Sequence, residues 1–150
     1  PKPVDLNAVA GSVVQLIHSE AVMRDVAVTL RTAPRPLVVL GDSEQVQQIV
    51  LNLLLNGMDA MRDQPSETRH LTVEVLDLDG GRHAIAVQDS GPGLATEIAE
   101  DPFRPFATTK QNGLGMGLAI CRTIAEAHHG TLDFVPVDRG ARVVLALPAA

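Results

Sequence analysis

The chain contains no tryptophan and no tyrosine, so intrinsic fluorescence would report little of what it binds. Its single cysteine, Cys121, rules out an internal disulfide and fits a reducing compartment. Set in the helical pattern AICRTIAEA, that thiol is expected to be a small buried hydrophobe and not a reactive group. Basic charge is in deficit, with 12 Lys and Arg against 18 Asp and Glu, a net charge of −6 and a pI near 5.2. Such a surface repels polyphosphate at long range. This argues against broad nucleic-acid or anionic-membrane binding and requires any bound phosphate to be held locally. Apolar runs such as VVLALPAA fall far short of the ~20 residues a membrane helix needs, and no basic-then-apolar signal pattern opens the chain. The expectation is a soluble, cytoplasmic domain. Its abrupt start at PKPVDLNAVA leaves room for a longer parent, cytoplasmic or membrane-anchored.

With 150 residues, 45% of them hydrophobic, the sequence is long enough to bury a continuous core, and residues 1–150 are expected to form one domain. After Asp5, a good N-cap, Leu6, Val9, Val13, Leu16 and Ile17 recur at helical spacing, which predicts a helix to about Met23. The alternating VAVTL (26–30) and the short LVVL (37–40), separated by Pro34 and Pro36, predict a hairpin-like strand pair. Asp42 or Ser43 would cap a second helix to about Arg62. LTVEVLDL (71–78) and HAIAVQD (83–89) flank Gly80 and Gly81, a signal for a tight antiparallel connection. A loop-rich stretch runs to Gly113, a helical pattern from Leu114 to His129 ends at Gly130, and strands TLDFVPV and ARVVLALP close the chain. This order predicts a two-layer α/β (α+β) sandwich, with helices on one face of a mixed, mostly antiparallel sheet.

On the second helix Gln48, Asn52, Asn56, Asp59 and Asp63 form one polar stripe, while Val46, Ile49, Val50, Leu53, Leu54 and Gly57 face the sheet. The stripe could be an ordinary solvated face. Asn, however, is a mediocre helix former, and surface stripes usually carry Glu, Lys or Arg. An amide oxygen from Asn56 suits Mg²⁺, which takes few protein ligands and completes its shell with water and substrate phosphates. Asn52, one turn earlier, could hold a water or a phosphate oxygen.

In HAIAVQDSGPG a strand runs straight into Asp89. A carboxylate there can accept from the exocyclic amine of adenine and would repel the carbonyl that guanine presents. The same residue could simply cap an Asx turn before Gly91. Gly91 and Gly93 would let the backbone come close to a ring. GLGMGL (113–118) opens directly into a helix, so its N–H groups and the positive helix end can meet phosphate oxygens without any net positive charge on the domain. The candidate cradle is Gly113, Leu114, Gly115, Met116, Gly117 and Leu118. Between them, Thr108, Thr109 and Lys110, with Arg104, lie near Phe103 and Phe106 in a stretch that reads as a mobile lid, able to bring a cation to the terminal phosphate.

QIVLNLLLNGMDAM (48–61), DSGPG (89–93), FRPFATTK (103–110) and GLGMGLAICRTIAEAHHG (113–130) together resemble the asparagine, first glycine, phenylalanine and second glycine boxes of the ATP-binding domain of bacterial sensor histidine kinases. PVDLNAVAGSVVQLI is similar to the segment that follows the dimerisation helices there. The resemblance implies ATP and Mg²⁺ held between the asparagine helix and the lid. It also implies Asn56 as the metal ligand, Asp89 as the adenine reader and phosphate contacts from the glycines of 113–117, while Asn52 of the stripe and Lys110 of the loop are the residues expected to be catalytic from their positions. None of His18, His70, His83, His128 or His129 sits in a phosphoacceptor box, so the acceptor is expected on a separate dimerisation domain of the same parent. A response regulator would be reached only indirectly. A homodimeric parent is implied, while this chain alone is expected to be a monomer. Asp59 stands where some relatives carry a basic residue, and its contact with nucleotide is not implied. Related ATPases place a glutamate four residues before the metal asparagine, where this chain has Asn52, so slow ATP hydrolysis is expected. Two alternatives stay open: a nucleotide-dependent docking module without catalysis, and a protein-serine kinase of the same superfamily.

Overall fold

The computed structural model describes residues 1–93 and 117–150. Among the described residues seven strands form two sheets. The larger has the order β2 (Ala27–Arg31), β4 (His70–Leu78), β5 (Arg82–Asp89), β7 (Arg142–Pro148), β6 (Thr131–Val135), and the smaller joins β1 (Lys2–Asp5) to β3 (Val38–Gly41). Among the described residues only β2–β4 is parallel, so the sheet is mixed and mostly antiparallel. Helices α1 (Leu6–Leu16), α3 (Ser43–Ala60) and α4 (Gly117–Ala127) pack on one face, and α2 (His18–Met23) follows α1.

Period-two patterning explains that face. Val73 and Val75 of β4 lie level with Val87 and Ile85 of β5 and with Val143 and Leu145 of β7, and all are buried, as is Leu71 opposite Asp89. Each such side chain removed from water contributes about 1.5–3 kcal/mol. On the opposite face Ala84, Ala86 and Ala146 are small enough to be covered by neighbours in the sheet itself, where Arg142 bridges Glu74 at 3.2 Å and Gln88 at 3.3 Å.

Several expected elements are in place. Asp5 caps α1 through the Asn7 N–H at 2.9 Å, and Asp42 caps α3 through the Gln45 N–H at 3.1 Å. Gly80 and Gly81 both adopt positive φ in the β4–β5 connection. The hairpin of residues 26–40 is not formed. β2 instead pairs parallel with β4 across the α3 crossover, and β3 pairs antiparallel with β1, a strand hidden in sequence by Pro1 and Pro3. Pro34 and Pro36 cannot donate to a ladder, and the Asn7 side chain takes the role of partner: it accepts from Ala33 N–H and donates to the carbonyls of Ala33 and Arg35. The expected first helix divides at Ile17, whose ψ of 3° interrupts it.

α3 stops at Ala60, two residues earlier than expected, so Asp63 of the polar stripe lies beyond the helix. Arg69 holds this end. Its guanidinium donates to the carbonyls of Arg24, Arg62 and Gln64 at 2.6–3.0 Å and so satisfies acceptors that helix ends leave over. At the end of α4 the left-handed residue is His129 (φ 62°), not Gly130 as the sequence suggests. Gly130 is needed for a different reason, since any side chain there would run into Ala146 O and Leu147 of β7. Among the described residues no helix is long and apolar enough to cross a membrane.

Candidate nucleotide site

Asp89 ends β5, the central strand of the larger sheet, and is buried to 8% exposure. Its N–H is fixed by Ala141 O at 3.0 Å, and its Oδ1 accepts the Gly91 N–H at 2.8 Å. The Asx turn considered from sequence is therefore made. It occupies one carboxylate oxygen and turns the other, Oδ2, toward α3, where a side-chain carbon on Gly57 would stand 3.8 Å from it.

Three glycines from distant parts of the chain make room for this carboxylate. A methyl on Gly57 would strike Leu71 at 2.7 Å, one on Gly91 would meet Asp89 Oδ1 at 3.0 Å and Ala60 O at 3.1 Å, and one on Gly140 would overlap the Asp89 carbonyl. Gly140 (φ 79°) and Gly93 (φ 90°) also hold left-handed backbone that a side chain would strain. Sequence reasoning singled out Gly91 and Gly93 for close approach to a ring. It missed the dependence on Gly57 and Gly140, because their neighbour is remote in the chain.

The asparagine stripe lies along α3 as the periodicity predicts, with Asn52 and Asn56 half-buried and Gln48 exposed. Asn52 is oriented from both sides: its Nδ2 donates to Cys121 Sγ of α4 at 3.3 Å and its Oδ1 accepts from Gln48 at 3.2 Å. Cys121 is fully buried. Burial pushes its thiol up, and the Asn52 hydrogen bond offsets part of that rise, so it remains a neutral group. Asp59 is engaged by Arg24 at 2.6 Å, and Arg24 in turn holds Glu20 at 2.8 Å. The hydrogen bond to Asp59 keeps the Arg24 guanidinium above its ordinary range despite desolvation. Asp59 thus serves the α2–α3 contact.

The relation of α3 to α4 is fixed at a second point. His128 accepts the Asp42 N–H at Nε2 (3.1 Å), while its Nδ1 lies 2.9 Å from Ile124 O. An amide can only donate and a carbonyl only accept, so the tautomer is Nδ1–H. Moving up α3 from Asp42 to Asn52 matches moving back along α4 from His128 to Cys121, so the two helices run antiparallel. One further turn along each leads to Asn56 on α3 and to Gly117, the first residue of α4. Gly117 is half-buried, and a side chain there would meet no described atom within 4 Å. Leu118 packs its side chain against the core. The remaining expected contacts, Thr108, Thr109, Lys110, Gly113, Leu114, Gly115 and Met116, and with them the lid, lie outside the described residues.

Residues 41–150 match the family model described as histidine kinase-, DNA gyrase B-, and HSP90-like ATPase. The sensor protein TdiS of Thauera aromatica is 35% identical over 148 residues, 97% of this chain and 27% of TdiS, so the chain spans about a quarter of that relative. Among solved structures, the catalytic domain of the histidine kinase ThkA superposes with a TM-score of 0.85 at 26% identity, covering 98% of this chain and 94% of that one. Full-length ShkA in complex with AMPPNP gives 0.81 at 27% identity, covering 99% and 31%. The chain belongs to the family of histidine kinase-, DNA gyrase B- and HSP90-like ATPases, and the relatives it matches include sensor histidine kinases.

Proposed function

We propose that this chain binds Mg-ATP and donates its γ-phosphoryl group to a histidine on a separate dimerisation domain of the same parent kinase. The observation that carries this is the buried carboxylate of Asp89, whose Oδ2 lies beside Gly57, the residue after Asn56 on the asparagine helix. Asp89 reads the adenine amine, with Gly91 and Gly93 shaping the turn beside it. Residues 113–118 receive the phosphates at the start of α4, where helix N–H groups have no partner within the helix. Asn56 offers the hard, neutral oxygen that Mg²⁺ accepts, and phosphate oxygens and water would complete its shell. When bound, that ion supplies neutralisation of phosphate charge.

Asn52 orients the phosphate end, and Lys110, with Thr108 and Thr109, meets the terminal phosphate. In the transfer the bond between the γ-phosphorus and the β–γ bridging oxygen breaks, a phosphorus–nitrogen bond to the imidazole forms, and ADP leaves. The imidazole proton passes to a carboxylate beside the acceptor in the partner domain. Positioning and charge stabilisation supply most of such a rate. The stripe offers Asn52 and Gln48 where a water-activating carboxylate would stand, which supports slow hydrolysis. The chain acts as a monomer on a homodimeric parent, and a response regulator takes the phosphoryl group from the histidine afterwards.

The test mixes the chain with its own dimerisation domain and γ-labelled ATP. The expected product is an acid-labile, base-stable label on that domain, reduced about a hundred-fold or more by Asn56→Ala, the scale on which an electrostatic stabiliser acts. An acid-stable label would identify a serine kinase. Nucleotide-dependent docking without label would identify a binding module.

A further inference from the structure

Ser90 stands between Asp89 and Gly91 at the strand exit, and the chemistry above gives it no part. Its hydroxyl is nonetheless fully committed. Oγ donates to Thr68 O at 2.7 Å and accepts from the His70 N–H at 3.0 Å and from Gln64 Nε2 at 3.1 Å. These use the one proton and both lone pairs that a hydroxyl has. Met61 Sδ also lies 3.2 Å from the oxygen. A single proton goes to the better acceptor, the carbonyl, so the sulfur is a packing contact.

These partners come from three places: Met61 and Gln64 just past the end of α3, Thr68 in a single turn of 3₁₀ helix (Ser66–Thr68), and His70 at the start of β4. The next residue, Leu71, is paired with Asp89 in the β4–β5 ladder. The Ser90 side chain therefore continues that ladder one residue past Asp89. It also ties the strand exit to the segment that ends α3, the helix bearing Gly57, Asn52 and Asn56. Upstream, Asp89 is held by Ala141 O, and its carboxylate is held by the Gly91 N–H. Ser90 is the anchor on the downstream side, directly between the carboxylate and the N–H that orients it.

A carboxylate that selects a base by donor and acceptor pattern works only if its oxygen stays within hydrogen-bond tolerance of the base edge, a few tenths of an ångström. Resting on the assignment of Asp89 to adenine proposed above, we propose that Ser90 is a positioning residue for base selection. Its hydroxyl holds the Asp89 carboxylate against α3 in the place from which adenine is accepted and guanine refused.

The test is titration calorimetry of ATP and GTP against the wild-type chain, Ser90→Ala, Ser90→Thr, Gln64→Ala and Asp89→Asn, with thermal unfolding of each. Ser90→Ala is expected to bind ATP about ten-fold more weakly, the effect of one good hydrogen bond misplaced, with GTP binding unchanged, so that the ATP/GTP ratio falls by the same factor. Ser90→Thr keeps the hydroxyl and is expected to stay within about two-fold of wild type. Gln64→Ala removes one of the three bonds and is expected to lower the ratio in the same direction by less. A purely structural serine would lower the melting temperature and leave the ratio as it is.

A wild-type ratio in folded Ser90→Ala overturns the inference. If that variant does not fold, a wild-type ratio in Gln64→Ala does so. Lost discrimination in Asp89→Asn beside a wild-type ratio in Ser90→Ala overturns the role of Ser90 and leaves Asp89 as the reader. No discrimination by the wild-type chain overturns both.

Discussion

Asp89→Asn is expected to weaken ATP and ADP binding by about a hundred-fold or more while the fold survives, because a site built to accept a hydrogen bond rejects a ligand it can no longer pair. The geometry makes this substitution informative. Oδ1 of Asp89 accepts the Gly91 N–H at 2.8 Å, and the amide oxygen of an asparagine can do the same, so the Asx turn is kept. The amide nitrogen then takes the place of Oδ2, on the side of Gly57. Two donors, the new NH₂ and the adenine amine, face each other. The guanine carbonyl, previously repelled, meets a donor instead, so GTP binding should improve. Calorimetric titration with both nucleotides checks the result. ATP affinity within a few-fold of wild type, in a variant that melts normally, would remove Asp89 from the site.

Gly140→Ala should be the most damaging single-methyl change near the site. The glycine sits in the β6–β7 connection at φ 79°, and a methyl there would overlap the carbonyl oxygen of Asp89 and lie 3.2 Å from its Oδ1. Left-handed backbone alone costs a side-chain-bearing residue about 1–2 kcal/mol. The overlap is with backbone, which cannot move aside as a flexible side chain would, and the same peptide region carries the Asp89 N–H to Ala141 O bond. A loss of about 3–5 kcal/mol is expected, in the range that strain at a special backbone position and a broken buried hydrogen bond reach together. Nucleotide affinity should fall as well, since the strand exit must shift. Urea unfolding of the wild-type and variant chains measures the first. A difference below about 1 kcal/mol, within the ordinary scatter of single substitutions, would mean that the connection yields and that Gly140 is an ordinary turn residue.

What could be seen beforehand follows the range over which each signal acts. The faces of α3 and β4 were legible because helix and strand periodicities are local: Val46, Ile49, Val50, Leu53 and Leu54 are buried as their spacing requires. Asp89 was legible because a strand running into DSGPG is a local pattern. The β4–β5 pairing was legible too, because Gly80 and Gly81 mark a tight connection between adjacent strands, but the partners of β2 and β3 were not. β2 and β3 looked like a hairpin because they are adjacent in sequence, but Asn7 closes the intervening loop from the first helix and leaves each strand to another partner. The clearances at Gly57 and Gly140 depend on Asp89 and Leu71, far away in the chain, so those glycines read only as a helix position and a turn. His128 looked like a helix-end residue, and it is one. The sequence did not reveal that its other nitrogen receives the Asp42 N–H and sets α4 against α3. Asp59, an oddity in sequence, is explained by Arg24.

The central claim is that an adenine nucleotide lies between the Asp89 end of β5 and the antiparallel pair α3 and α4. Amide chemical-shift mapping of the isotope-labelled 150-residue chain with ADP tests this most directly, and the absence of tryptophan and tyrosine does not hinder it. The predicted result is saturable shifts at Asn56, Gly57, Ser90, Gly91, Gly140 and the first turn of α4, lost when ADP is replaced by GDP. Saturable shifts confined to the opposite face of the sheet, around Glu74, Gln88 and Arg142, would contradict it.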